Sequence, residues 1–209
     1  MTTPAVVENA MLARIQAAGE AGVLGYAYPQ GSLMSWPENF DQLLERETIR
    51  WPACWAVFGG VHSAEQLGRG SWKLNCGFGV VVGAQNARNE VSRRHGDPAN
   101  PALPGSYQLA FDVFGLLSGQ SLGLDISPLQ PQSMQGVAID NTKMAPNVSL
   151  FALSFATSIP FDAGQPSGLA DFTTFHADWD LPPFGHVQPP LPDDGDAAAV
   201  DTVILQGAS

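Results

Sequence analysis

Trp51–Gly60 reads W-P-A-C-W-A-V-F-G-G, and Gly70–Gly83 reads G-S-W-K-L-N-C-G-F-G-V-V-V-G. In the second run Trp72, Leu74, Cys76, Phe78, Val80 and Val82 fall on one parity. Lys73, Asn75, Gly77 and Gly79 fall on the other. A period of two is what a strand with one buried face requires. The first run is apolar on both parities and suits a more covered strand. Together they predict two sequential strands of one sheet, joined by the polar segment His62–Arg69. Gly77 and Gly79 weaken a strand and invite a bulge or the close approach of another chain.

Upstream, Thr3-Pro4 predicts a cap and a first-turn proline. Val7, Met11, Ile15 and Ala18 mark one helix face behind them, with Gly19 as its end. Gly22–Leu33 reads as a short extended segment and a turn. Ser35 and Glu38 have capping-box spacing for a second helix, with Phe40, Leu43 and Leu44 as its buried stripe and Pro52 as its stop.

Downstream, Asn86–Gly96 is polar and basic, a short helix or an ordered loop. Asp97–Pro104 is a proline-rich turn. Ser106 is the expected cap of a third helix with Leu109, Val113, Leu116 and Leu117 inward. Gly115 within it points to close packing against a neighbour. Gln135–Ile139 reads as a short strand. In the long strand Val148–Ile159, Phe151, Leu153 and Phe155 oppose the thinner face of Ala152, Ser154 and Ala156. This order predicts an α+β fold: one compact domain, residues 1–160, whose mixed or antiparallel sheet is flanked by helices. Residues 161–209 read as an extended acidic arm rich in proline and aromatics. Ala199–Leu205 is a candidate terminal strand within it, suited to edge augmentation in another chain.

The 209 residues are 44% hydrophobic, enough for one good core. No apolar run is long enough for a membrane span, and no basic-then-apolar leader opens the chain. The net charge is -11, and all nine Lys and Arg residues lie at or before Lys143. An acidic second half repels phosphate backbones, which disfavours direct nucleic-acid binding. Cys54 and Cys76 lie in predicted strands and read as buried free thiols, without zinc or redox spacing.

Two clusters carry candidate chemistry. In an extended segment His176, Asp178 and Asp180 would share a side, as a metal-dependent hydrolase would arrange them, but a metal site needs three or four converging ligands. The other histidines (His62, His95 and His186) lie in unrelated loops, so turn-capping carboxylates with Trp179 as a packing anchor is the simpler reading. Arg88, Arg93, Arg94 and His95 form a basic cluster: a solvated helix face, a salt-bridge set between subunits, or a phosphate site. The interface reading pairs Arg88, Arg93 and Arg94 with Phe172, Phe175, Asp178, Trp179 and Asp180 of a neighbour's arm. Gly77-Phe78-Gly79 lacks the strand–turn–helix context of a phosphate loop. Asp112 and Asp125, near one helix end, carry no further acid–base signal. No catalytic residue, cofactor or metal ligand is therefore assigned.

The ordered patterns P-A-C-W-A-V-F-G-G, R-N-E-V-S-R-R-H-G and P-G-S-Y-Q-L-A-F-D-V-F-G-L-L-S-G-Q-S-L-G-L-D-I-S-P-L resemble the small tail proteins of Mu-like phages and prophages. The likeness runs over about residues 5–160. It implies a compact domain with a mixed sheet flanked by helices, and no catalytic residues. It also implies a tail terminator: a homo-oligomeric ring, usually of six subunits, that caps the tail tube and joins it to the neck. The implied partners are the tail tube protein and a neck, head-completion or connector protein, with no membrane. The implied location is the virion tail, with assembly in the host cytoplasm. A neck or connector adaptor on the head side is the alternative.

Overall fold

The computed structural model describes residues 2–37, 49–86, 90–97, 100, 102–137, 147–164, 174–179 and 199–204. Helix α1 (Pro4–Glu20) buries Val7, Met11, Leu12, Ile15, Ala18 and Gly19. Thr3 holds the N-cap position, but its side chain makes no capping hydrogen bond. The helix runs past Gly19 and ends at Gly22, whose φ is 74°. There the Val23 amide donates to the Ala18 carbonyl (3.0 Å) and the Gly22 amide to that of Gly19 (3.1 Å). This is the Schellman closure, and glycine takes the left-handed position at least cost. Gly19 instead lets the returning chain approach: a Cβ there would stand 3.4 Å from the Tyr26 carbonyl oxygen.

The sheet holds five strands: β1 (Leu33–Ser35), β2 (Ala53–Gly68), β3 (Ser71–Gln85), β4 (Gln130–Val137) and β5 (Val148–Asp162). Their spatial order is β1-β2-β3-β5-β4. β1 runs parallel to β2 and the other ladders are antiparallel, so the expected mixed sheet is present. Helices α2 (Glu90–His95) and α3 (Ser106–Leu117) lie between β3 and β4 in the chain.

Side-chain alternation divides the core. Cys54, Ala56, Cys76, Phe78, Val80, Val82, Leu153 and Phe155 pack with the apolar stripes of α1 and α3. Ala53, Trp55, Val81 and Leu150 form a second cluster with Trp36, Ile49 and Trp51. Ala53 to Ala56 are buried on both parities, as an apolar run without alternation requires. Each fully buried large side chain, such as Phe78 or Phe155, contributes about 1.5–3 kcal/mol.

Several expectations are corrected. His62–Arg69 is not a connection: β2 continues to Gly68, which pairs with Ser71, leaving Arg69 and Gly70 as the turn. Residues 61–68 are exposed, so no apolar alternation marks them, yet their ladder with β3 persists. The register breaks fall on β2, between Phe58 and Gly60, between Val61 and Ser63 and between Gln66 and Gly68, with Gly60 at φ 103°. On β3, Gly77 and Gly79 lie under side chains of β2. A Cβ at 77 would come within 2.5 Å of His62 Nε2, and one at 79 within 2.8 Å of Val57 Cγ1.

β5 runs through Pro160, which pairs with Lys73, to Asp162. The β4 ladder reaches only as far as Ala156, and past it the Ser127 amide donates to the Ser158 carbonyl at 2.9 Å; Pro160 lies beyond both, where a proline is tolerated. β4 begins earlier than expected, at Gln130, because an exposed edge strand needs no apolar face. Residues 138–139 of the expected strand lie outside the described residues.

The predicted caps also differ. Ser35 is the last residue of β1, and its hydroxyl donates to Glu8 Oε2 at 2.8 Å. The second helix, over Phe40, Leu43 and Leu44, lies outside the described residues. Gly105, not Ser106, is the N-cap of α3, and the Ser106 hydroxyl pairs with that of Ser149 at 2.8 Å. Gly115 packs against nothing: it is exposed, with no atom within 4 Å of a Cβ placed there.

The chain divides into two units, residues 1–163 and 164–209. In the second, β6 (Thr174–Trp179) pairs antiparallel with β7 (Ala199–Ile204). The expected terminal strand is thus partnered within its own chain.

Candidate functional site

The basic cluster sits at a tight corner between α2 and α3. Gly96 (φ 83°) and Gly105 bring the two backbones together. A Cβ at 105 would collide with the Arg94 carbonyl and the Gly96 amide. The Asp97 amide donates to the Leu103 carbonyl at 3.2 Å and closes the loop. Arg93, Arg94 and His95 occupy the last turn of α2, where cations face the carbonyl end of a helix favourably. Arg93 is half-buried, and Arg94 and His95 are exposed. The His95 ring lies 5.5 Å from that of Tyr107, which meets Phe151 edge-on at 5.4 Å.

The structure therefore brings Arg93 and Arg94 together in one turn. Arg88, Phe172 and Asp180 lie outside the described residues. Phe175, Asp178 and Trp179 are register positions on β6, opposite Val203, Val200 and Ala199. His176 stands opposite Thr202. Among the described residues, no group of three or more His, Cys, Asp or Glu could hold a metal ion.

Inside the fold, Tyr26, Tyr28 and Asp112 gather near Cys54. Burial pushes the Tyr26 and Tyr28 hydroxyls and the Cys54 thiol up, with Asp112 adding to both tyrosine shifts. Burial also raises the Asp112 carboxyl, against the opposing influence of Tyr26 and Gln108. Tyr26 and Asp112 are close enough to affect each other's charge. Even so, neither the Tyr26 hydroxyl nor Asp112 Oδ2 completes a hydrogen bond of normal geometry. Every shift favours the neutral, protonated form, which is how buried packing groups behave. Cys54 and Cys76 are free and buried, and they stand apart on the sheet, opposite Val82 and Val61.

One surface escaped the sequence reading. α3 exposes Phe111 (69%) and Tyr107 (39%) beside its buried stripe. Its only sequence signal is two aromatics four residues apart, off the apolar face.

Fold and surface together define an α+β protein built on one five-stranded mixed sheet flanked by helices. The profile of the family described as bacteriophage Mu, Gp37 matches residues 5–160. The chain belongs to the bacteriophage Mu Gp37 family. It is accordingly a phage structural, tail-related protein, associated with the virion. No curated protein matches it in sequence. A solved structure, 12% identical, aligns over 76% of this chain and 96% of its own with a TM-score of 0.37. That likeness carries no argument about function. No helix among the described residues is long and apolar enough to cross a membrane.

Proposed function

We propose that the protein is a tail terminator: a homo-oligomeric ring of six subunits that caps the tail tube, stops its growth and joins it to the neck. The supporting observation is the family match over residues 5–160, which spans the sheet and all three described helices. The partners are the tail tube protein below and a neck, head-completion or connector protein above, with no cofactor, no membrane and no direct grip on nucleic acid. The site of action is the virion tail, reached from the host cytoplasm during assembly. The terminator domain is the unit of residues 1–163, since β5 runs to Asp162, and residues 164–209 are the arm. In the ring, Arg88, Arg93 and Arg94 of one subunit meet Phe172, Phe175, Asp178, Trp179 and Asp180 of the next, where opposite charge sets register more than affinity.

The test is to add the purified protein to growing tail tubes and measure their lengths by electron microscopy. Capping predicts that elongation stops, and that tails assembled without the protein overrun their normal length. Tubes that keep growing in its presence would overturn the reading. Normal-length tails that fail to join heads would move it to a neck adaptor.

A further inference from the structure

The connection from α1 to β1 is held differently from the rest of the fold. Tyr26, Ala27 and Tyr28 make no backbone hydrogen bond among the described residues. A turn closes each end of this segment. Before it, the Gly25 amide donates to the Gly22 carbonyl at 3.3 Å. After it, the Ser32 amide and hydroxyl both donate to the Pro29 carbonyl, at 3.0 and 2.7 Å, and the Ser32 carbonyl accepts from the Cys54 amide at 2.8 Å. Gly25 has a φ of 73°, and a Cβ there would meet nothing within 4 Å. The backbone at Gly25 can therefore swing without a steric barrier from a side chain.

What closes the segment is ring burial. Tyr26 is 5% exposed and packs in the core with Cys54, Tyr28 packs against that core, and the two rings meet edge-on at 5.8 Å. Three oxygen atoms work against it. The Tyr26 and Tyr28 hydroxyls and Asp112 Oδ2 of α3 are buried, and none has a hydrogen-bond partner of normal geometry. A buried polar group in that condition costs stability, and water restores its bonds on opening. Along the sheet, backbone ladders add to side-chain burial; over residues 26–28 they add nothing. A segment held this way opens before the elements around it.

We infer that residues 26–28 are a strap that opens locally on Gly25 and uncovers Cys54 while the sheet stays folded. Cys54 is fully buried on β2 and lies near both tyrosines. Opening turns two aromatic rings outward and bares the Cys54 side of β2, a surface that the closed fold does not present. The strap goes beyond the terminator reading and does not rest on it, since every group involved belongs to the sheet unit.

The test labels the full chain with iodoacetamide at one pH and follows Cys54 by peptide mass mapping. Urea unfolding gives the rate that global unfolding alone would allow. Cys54 should react faster than that rate, and low urea should change its rate little, because a small opening exposes little surface. Tyr26→Phe keeps the ring and removes one unpartnered hydroxyl, so labelling of Cys54 should slow about fivefold. Gly25→Ala strains the closed form at its positive φ, so labelling should speed up about fivefold. Circular dichroism checks that both variants fold. Labelling of Cys54 only at the rate of global unfolding would overturn the strap, as would rates that neither variant changes. Faster labelling of Tyr26→Phe would overturn it too, because the hydroxyls would then hold the segment shut.

Discussion

Asp112 shows how one residue links burial to conditions. Its carboxyl is held above the ordinary carboxylate range chiefly by desolvation. The folded state therefore keeps this proton longer than the unfolded chain does, and stability must fall as pH rises through the raised value. From about pH 4 upward, the Asp112→Asn variant should lose less stability than wild type. Urea midpoints at several pH values measure the difference, and parallel curves would show that Asp112 titrates normally. Trp55, by contrast, is silent: fully buried in the smaller cluster, it meets Trp51 edge-on at 6.0 Å and holds the second face shut.

Among the elements, the β2–β3 hairpin is the least uniform. Its inner half is core: Val80 and Val82 are fully buried, between ladders to β2 and β5. Its outer half, residues 61–68, is exposed and turns through Gly70 at φ 81°. A Cβ at Gly70 would cost about 1–2 kcal/mol in that conformation. In Gly70→Ala the cost should fall on local opening. Amide exchange should speed up around residues 61–73, while Val80–Val82 keep wild-type protection. Equal acceleration along the whole of β3 would mean that the hairpin opens as one unit with the core. α1 follows the same rule at its end, where Gly22 closes the helix and Gly19 serves packing.

At the scale of the whole molecule, every described ladder partner of the five-stranded sheet lies within residues 1–163. A chain ending at Ala163 should therefore keep the thermal transition of the sheet unit, checked by circular dichroism and calorimetry. Cutting before Pro160 should destabilise it, because Pro160, Phe161 and Asp162 pair with Lys73, Trp72 and Ser71. If the arm joins subunits as proposed, the chain ending at Ala163 should also be smaller in solution than the full chain. Equal assembly of the two would remove the arm from the interface.

Periodicity carried much of this architecture. The parity of Trp72–Val82, the stripe Val7–Ala18 and the run Phe151–Phe155 each report burial at a fixed repeat, and a repeat is a local property of the chain. The ordered patterns of residues 5–160 likewise carry the resemblance to the family. What periodicity could not reach were features decided by distant neighbours: β2 beyond Phe58, β4 at the edge, and Pro160 inside a strand. All of these are exposed or open on one side, so backbone pairing holds them without an apolar signature. The role of Gly115 was misread for a related reason. A glycine in a helix permits close packing, and only the tertiary structure shows that this position of α3 is exposed.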